Sequence, residues 1–168
     1  MKHLKTLLIV IALGFGLQSS AQHKNLEAGV HLGIPTGDVE NFINIVYGAD
    51  LTFYFSQGIA EIFDLGITAG YTEFNLDNQG LFVDAVNNDT AFLKLGVAGK
   101  LNFQGNVFFN TDLGYAIGLD QVDGGAYFSP KIGYHFESFL VNLYYTFVRT
   151  DTRFPDYASI GVGFSIRL

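Results

Sequence analysis

Apolar and small or polar residues alternate most strictly over residues 158–168. Ile160, Val162, Phe164, Ile166 and Leu168 occupy one phase, and Ser159, Gly161, Gly163, Ser165 and Arg167 the other. A period of two predicts a β-strand whose side chains point in turn to opposite faces of a sheet. A strand with one wet face usually carries Lys, Glu or Thr on it. Here the second face is mostly Gly and Ser, which suits the crowded inside of a narrow barrel whose apolar face meets lipid.

The same alternation recurs through the chain. Leu26, Ala28, Val30, Leu32 and Ile34 oppose Asn25, Glu27, Gly29, His31 and Gly33. A second segment sets Ile45, Tyr47, Ala49, Leu51, Phe53 and Phe55 outward, with Asn44, Gly48, Asp50 and Thr52 inward. A third has Phe63, Leu65, Ile67, Ala69 and Tyr71 against Asp64, Gly66, Thr68, Gly70 and Thr72. The fourth, less regular, opposes Ala91, Leu93, Leu95, Val97, Leu101 and Phe103 to Lys94, Gly96, Ala98, Lys100 and Asn102. Val107, Phe109, Leu113, Tyr115 and Ile117 front the fifth, over Asn110, Asp112, Gly114 and Gly118. In the sixth, Phe128, Ile132, Tyr134 and Phe136 oppose Ser129, Lys131, Gly133 and His135, and Pro130 predicts a bulge or a break in pairing. Phe139, Val141, Leu143, Tyr145 and Phe147 make the seventh, over Asn142, Tyr144 and Thr146. With the C-terminal strand the total is eight, the even number that a closed antiparallel barrel with both termini on one side requires.

Connections alternate between two kinds. Residues 56–61, 104–106 and 137–138 are short, whereas 35–42, 73–90, 120–125 and 148–157 are longer and rich in Asp and Asn. Short periplasmic turns and longer extracellular loops produce this pattern, placing both termini in the periplasm. Phe53, Phe55, Phe63, Phe103, Phe136 and Phe139 then gather at the short-turn end as an aromatic girdle, with Tyr47, Tyr71, Tyr115 and Phe128 toward the other rim.

The N-terminus changes the compartment. Lys2 and Lys5, an apolar run over 6–17, and Ser19-Ser20-Ala21 predict a cleavable signal peptide over residues 1–21, leaving a barrel domain over 22–168. The run falls short of the ~20 apolar residues that a spanning helix needs. No Cys is present, which excludes disulfides, thiolate metal sites and anchoring through a lipidated N-terminal Cys. Two of the nine basic residues lie in the signal, so seven face sixteen acids in the remainder. Nucleic-acid binding, which needs a basic surface, is excluded. Alternating strands, unlike a long apolar helix, can cross the periplasm and insert into an outer membrane.

The signal ending in Ser20-Ala21-Gln22, Asp112-Leu113-Gly114-Tyr115, Lys131-Ile132-Gly133-Tyr134 and the Gly-rich final strand resemble the small outer-membrane β-barrel family abundant in Bacteroidota, with its porin-like barrel domain. The chain looks like a relative of the eight-stranded OmpA and OmpX type. That resemblance implies an all-β, eight-stranded antiparallel up-and-down transmembrane barrel, and is nearly silent on activity. Phe164, Ile166 and Leu168 resemble the signal read by the barrel-assembly machinery, with Leu168 where the usual terminal residue is aromatic.

Strand phase sorts the charges. Glu27, Asp50, Asp64 and Asp112 point inward, as do Lys94, Lys100, Lys131 and Arg167. Four acids against four bases, in a strongly acidic chain, predict a matched ion-pair network filling the lumen, because an isolated buried charge is costly. His31 and His135 are candidate hydrogen-bonding members. The alternative is that these charges line a small wet vestibule. An eight-stranded barrel is in either case too narrow for a wide aqueous channel. Asp38, Glu40, Glu73, Asp77, Asp84, Asp89, Asp120, Asp123, Asp151 and Asp156 lie on the long-loop side, opposed by Arg149 and Arg153. They read as a solvated repulsive surface, or as groups bridged through divalent cations to lipopolysaccharide. Residues 77–80 lack the spacing of an EF-hand loop, so no metal or other cofactor is expected. Residues 80–86, with Leu81, Phe82 and Val83, form an apolar patch that could touch a partner.

Four functions compete. The first is a non-enzymatic structural or surface-interaction barrel, monomeric, whose partners are outer-membrane lipid and lipopolysaccharide. It could also serve an envelope or secretion machine. The second is a lipid A-modifying enzyme. His31 could face Ser159 across the barrel closure, but no acid completes a triad in the sequence, and no catalytic residue is assigned. The third is a narrow pore for ions or small solutes. The fourth, a soluble lipocalin-like binder, would have to turn its Gly, Ser and Asn face outward and overfill its inside with Phe and Tyr. The expectation is the first: a non-enzymatic barrel of a Gram-negative outer membrane.

Overall fold

The computed structural model describes residues 25–41, 43–59, 62–76, 90–119, 122–150 and 155–168. Eight strands follow one another along the chain: β1 Leu26–Thr36, β2 Ile43–Ile59, β3 Phe63–Leu76, β4 Thr90–Asn102, β5 Val107–Leu119, β6 Gly125–His135, β7 Phe139–Arg149 and β8 Tyr157–Arg167. Each pairs antiparallel with its sequence neighbours, and β8 closes on β1 in an unbroken run from Glu27 opposite Arg167 to Thr36 opposite Ala158. Closure leaves no free sheet edge, so every strand finds its hydrogen bonds within the barrel. Among the described residues no helix is long and apolar enough to cross a membrane. The proposed signal over 1–21 lies outside the described residues.

Side-chain phase follows the alternation, inverted relative to a water-soluble protein. Val30, Leu32, Ile34, Ile67, Ile132 and Leu143 stand half or more exposed on the outside, while Glu27, Asp64, Lys94, Lys100 and Asp112 are buried inside. An outer surface covered this continuously by large apolar groups far exceeds the patches that water-soluble monomers tolerate. It also leaves the lipocalin-like alternative without a solvated outer face.

Local chemistry explains the turns and irregularities. The β4–β5 turn carries two successive residues in the left-handed region, Gly105 (φ 80°) and Asn106 (φ 68°), a conformation that Gly and Asn accept most readily. It is closed by Phe103 N–H donating to Val107 O at 2.8 Å. Pro130 stays paired with Thr111 of β5, but toward β7 the ladder lapses between Phe128–Phe147 and Lys131–Tyr144 without a register shift. The interruption expected at this proline is thus a break rather than a bulge. Inside the barrel, Ser129 Oγ and Thr146 Oγ1, 2.7 Å apart, hydrogen-bond across the gap.

The sequence reading of β2 needs one correction. A bulge between Ile43 and Ile45 shifts the phase, so Ile43 is buried and Asn44 is exposed rather than inward. Several segments read as loop are strand: β1 continues through Pro35 and Thr36, β2 to Ile59, β3 to Leu76, and β7 to Arg149.

Candidate functional site: the filled lumen

The inward phase builds three stacked layers. Nearest the short-turn end, Glu27 of β1 accepts from Lys100 Nζ of β4, 2.6 Å from Oε2, and from Arg167 Nε of β8 at 2.9 Å. Lys100 also lies over the rings of Tyr54 and Phe108, at 4.6 and 5.0 Å. Asp64, opposite Lys100 in register, accepts from Asn102 Nδ2 at 2.8 Å, and Asn102 Oδ1 sits 3.2 Å from His135 Nε2. The formal charges are two acids, Glu27 and Asp64, against two bases, Lys100 and Arg167.

A second layer centres on Asp50. Its carboxylate lies 3.1 Å from Lys94 Nζ, 3.7 Å from Lys131 Nζ and 3.0 Å from His31 Nδ1. Lys131 also reaches Asp112 at 2.7 Å, and Asp112 accepts from Asn110 Nδ2 at 3.0 Å. Two acids again meet two bases. The other nitrogen of His31, Nε2, is 3.2 Å from Thr72 Oγ1. The imidazole spans from β1 to β3 because residue 48, between them in register, is glycine; a Cβ there would lie 2.6 Å from the ring.

The third layer is apolar and closes the long-loop end. Val39, from a short 3-10 turn after β1, joins Ile43, Val46, Phe74, Phe92, Ala116, Tyr127, Val148 and Tyr157. Phe74, Phe92 and Tyr157 meet edge to face with centroids 5.1–5.9 Å apart, a favoured aromatic geometry. Phe74 and Phe92 are fully buried inside the barrel.

Of the eight charged residues singled out from the sequence, seven lie at ion-pair distance from an opposite charge, and Asp64 is held by Asn102. The juxtaposition of His31 and Ser159 that the enzymatic alternative would need does not occur. Ser159 pairs with Pro35, His31 faces Gly163, and the acid beside His31 is Asp50. His135 joins Asn102, and Ser138 is exposed at the β6–β7 turn. Phe164, Ile166 and Leu168 continue the outer phase of β8, and Leu168 N–H donates to Leu26 O at 2.8 Å. On the outer face near the long-loop rim, Tyr47 and Tyr71 hydroxyls donate to the two oxygens of Glu73 at 2.7 and 2.6 Å. At the short-turn rim Phe136, Phe139 and Phe164 stack in sequence, with centroids 4.5 and 5.2 Å apart. Acidic positions 77, 84, 89, 120 and 151, Arg153, and the apolar patch at 80–86 lie outside the described residues. No group of three or more His, Cys, Asp or Glu able to hold a metal occurs among the described residues.

The apolar layer was the part missed. Val46, Phe74, Phe92, Tyr127, Val148 and Tyr157 all share the inward phase of their strands, but Phe74, Val148 and Tyr157 fell in segments assigned to loops.

No family model and no curated protein matches this sequence. Solved structures do share its fold. The outer membrane enzyme PagL superposes with a TM-score of 0.59 at 11% identity, covering 84% of this chain and 99% of that one. The Yersinia pestis outer membrane protein Ail, in a phospholipid bilayer nanodisc, gives 0.55 at 11% identity, covering 84% and 99%. A designed transmembrane β-barrel gives 0.53 at 12% identity, covering 86% and 98%. The fold is therefore that of small outer-membrane barrels, and it is shared by an enzyme and by a protein whose name denotes attachment and invasion.

Proposed function

We propose that this chain is an integral barrel of a Gram-negative outer membrane that serves a structural or surface-interaction role and neither conducts nor catalyses. In this reading both termini are periplasmic, lipid and lipopolysaccharide surround the apolar belt, and the acidic loops face outward. The kinship with the Bacteroidota barrels rests on the segments over 112–115 and 131–134 and on the final strand. The filled lumen is the observation that carries the proposal: two charge-balanced layers and an apolar layer occupy the space a solute would need.

The enzymatic alternative has one arrangement in its favour, the series Asp50–His31–Thr72, which orders a carboxylate, an imidazole and a hydroxyl as acyl-transfer sites do. Thr72 is only 2% exposed and faces the lumen, where no acyl chain has a path to it. A site needs room for the reacting atom beside the nucleophile. This series therefore reads as part of the packing.

The test is conductance in a planar bilayer, with insertion established separately by heat-modifiable gel migration. Background conductance from fully inserted protein supports the reading. Reproducible unitary steps would overturn it in favour of a narrow pore.

A further inference from the structure

On the short-turn side of the apolar layer the lumen retains a polar cavity of about 30 Å³, bordered by Lys100, Asn110, Lys131, Asn142 and Tyr144 among others. None of its lining residues belongs to the sealing cluster. An internal water needs roughly 10–15 Å³ of such space, so about two fit.

Two buried polar atoms on its wall lack a partner in the protein. Asn110, 4% exposed, donates its amide nitrogen to Asp112, which fixes the amide's orientation, since the flipped form would set two oxygens against each other. Its Oδ1 is left as an acceptor without a donor. Tyr144, also 4% exposed, has the Ser159 hydroxyl as a neighbour but makes no hydrogen bond of good geometry with it, so its hydroxyl is not satisfied within the protein. In register, Asn110 lies between Lys100 and Lys131, and Tyr144 lies beside Lys131.

The chemistry selects the occupant. The charges around the cavity, Lys94, Lys100 and Lys131 with Glu27 and Asp50, already pair with one another or with Asp112 and leave no net charge for an ion to neutralise, and a simple anion offers no donor to Asn110 Oδ1. Water offers a donor to the amide oxygen and either role to the phenol. We propose that this cavity is a binding site for two ordered water molecules, anchored on Asn110 Oδ1 and Tyr144 Oη. The lumen is then wet on its short-turn side and dry beyond Phe74 and Phe92. This inference does not depend on the surface role proposed above.

Water-edited solid-state NMR of the full barrel in lipid bilayers tests it. Magnetisation from water should reach the Asn110 side-chain amide and the Tyr144 ring severalfold faster than the rings of Phe74 and Phe92. Equal, slow transfer to all four would show a dry cavity and overturn the proposal. Asn110→Leu removes the acceptor and fills the space. It should slow transfer to Tyr144 while leaving Phe74 and Phe92 unchanged, and undiminished transfer to Tyr144 would also overturn the site. Should that variant fail to fold, the wild-type comparison decides alone.

Discussion

Lys100→Met, Glu27→Leu and their combination test whether the lumen is held by buried ion pairs. Lys100 is 1% exposed, with both Glu27 carboxylate oxygens against its ammonium. Removing one partner of a buried pair costs roughly 3–5 kcal/mol, because the other charge is stranded. Lys100→Met falls at the low end, about 3 kcal/mol, since Glu27 keeps Arg167 at 2.9 Å. Glu27→Leu falls nearer 4 kcal/mol, because it strips both Lys100 and Arg167 of their shared acceptor. The double variant replaces the pair by apolar groups of similar size and strands only Arg167, which reaches solvent. Its cost should lie near that of one single change, about 4 kcal/mol, well below the additive value of roughly 7. Denaturant titration of the folded barrel in detergent micelles gives these numbers. Far-UV circular dichroism is the suitable probe, because the chain has no Trp. Additive costs within about 0.5 kcal/mol, or a neutral Lys100→Met, would refute a buried, coupled pair.

Other consequences are as specific. Gly48→Ala places a Cβ against the Tyr71 backbone carbonyl as well as the His31 ring and should cost about 3 kcal/mol or more, with the imidazole displaced from Thr72 in NMR spectra. Phe92→Ala empties the centre of the apolar layer and should cost about 3–5 kcal/mol by the same denaturant titration. It should leave bilayer conductance at background, because both charged layers still fill the lumen. Ser129→Ala leaves Thr146 without its hydroxyl partner across the Pro130 gap and should cost about 1–2 kcal/mol in that titration. Asp64→Leu removes the acceptor of Asn102 and should shift the His135 ring resonances as well as lower stability.

The eight strands were legible because each keeps one parity over many residues, as in β3, where Asp64, Gly66, Thr68, Gly70 and Thr72 all face inward. The same parity put the eight lumenal charges on one face. It could not say which acid meets which base. Glu27 and Lys100 lie on β1 and β4, and their contact depends on strand stagger and on side chains reaching across the bore. Asp50 is likewise shared by His31, Lys94 and Lys131, a set no local pattern reveals. The strand ends were misjudged where polar composition outweighed parity. Phe74 follows Glu73 and Tyr157 follows Asp156, so the acids suggested loop while the aromatic rings continued inward. The Asn44 error has a different cause, since a bulge shifts phase without leaving a mark in composition.

The central claim is a lipid-facing barrel whose charges lie inside. Gel migration of the membrane fraction with and without boiling, alongside outer-membrane markers, tests it most directly. A folded barrel of this kind resists detergent until boiled, then shifts, and fractionates with the outer membrane. A chain that shows no shift and remains in the soluble fraction would contradict it.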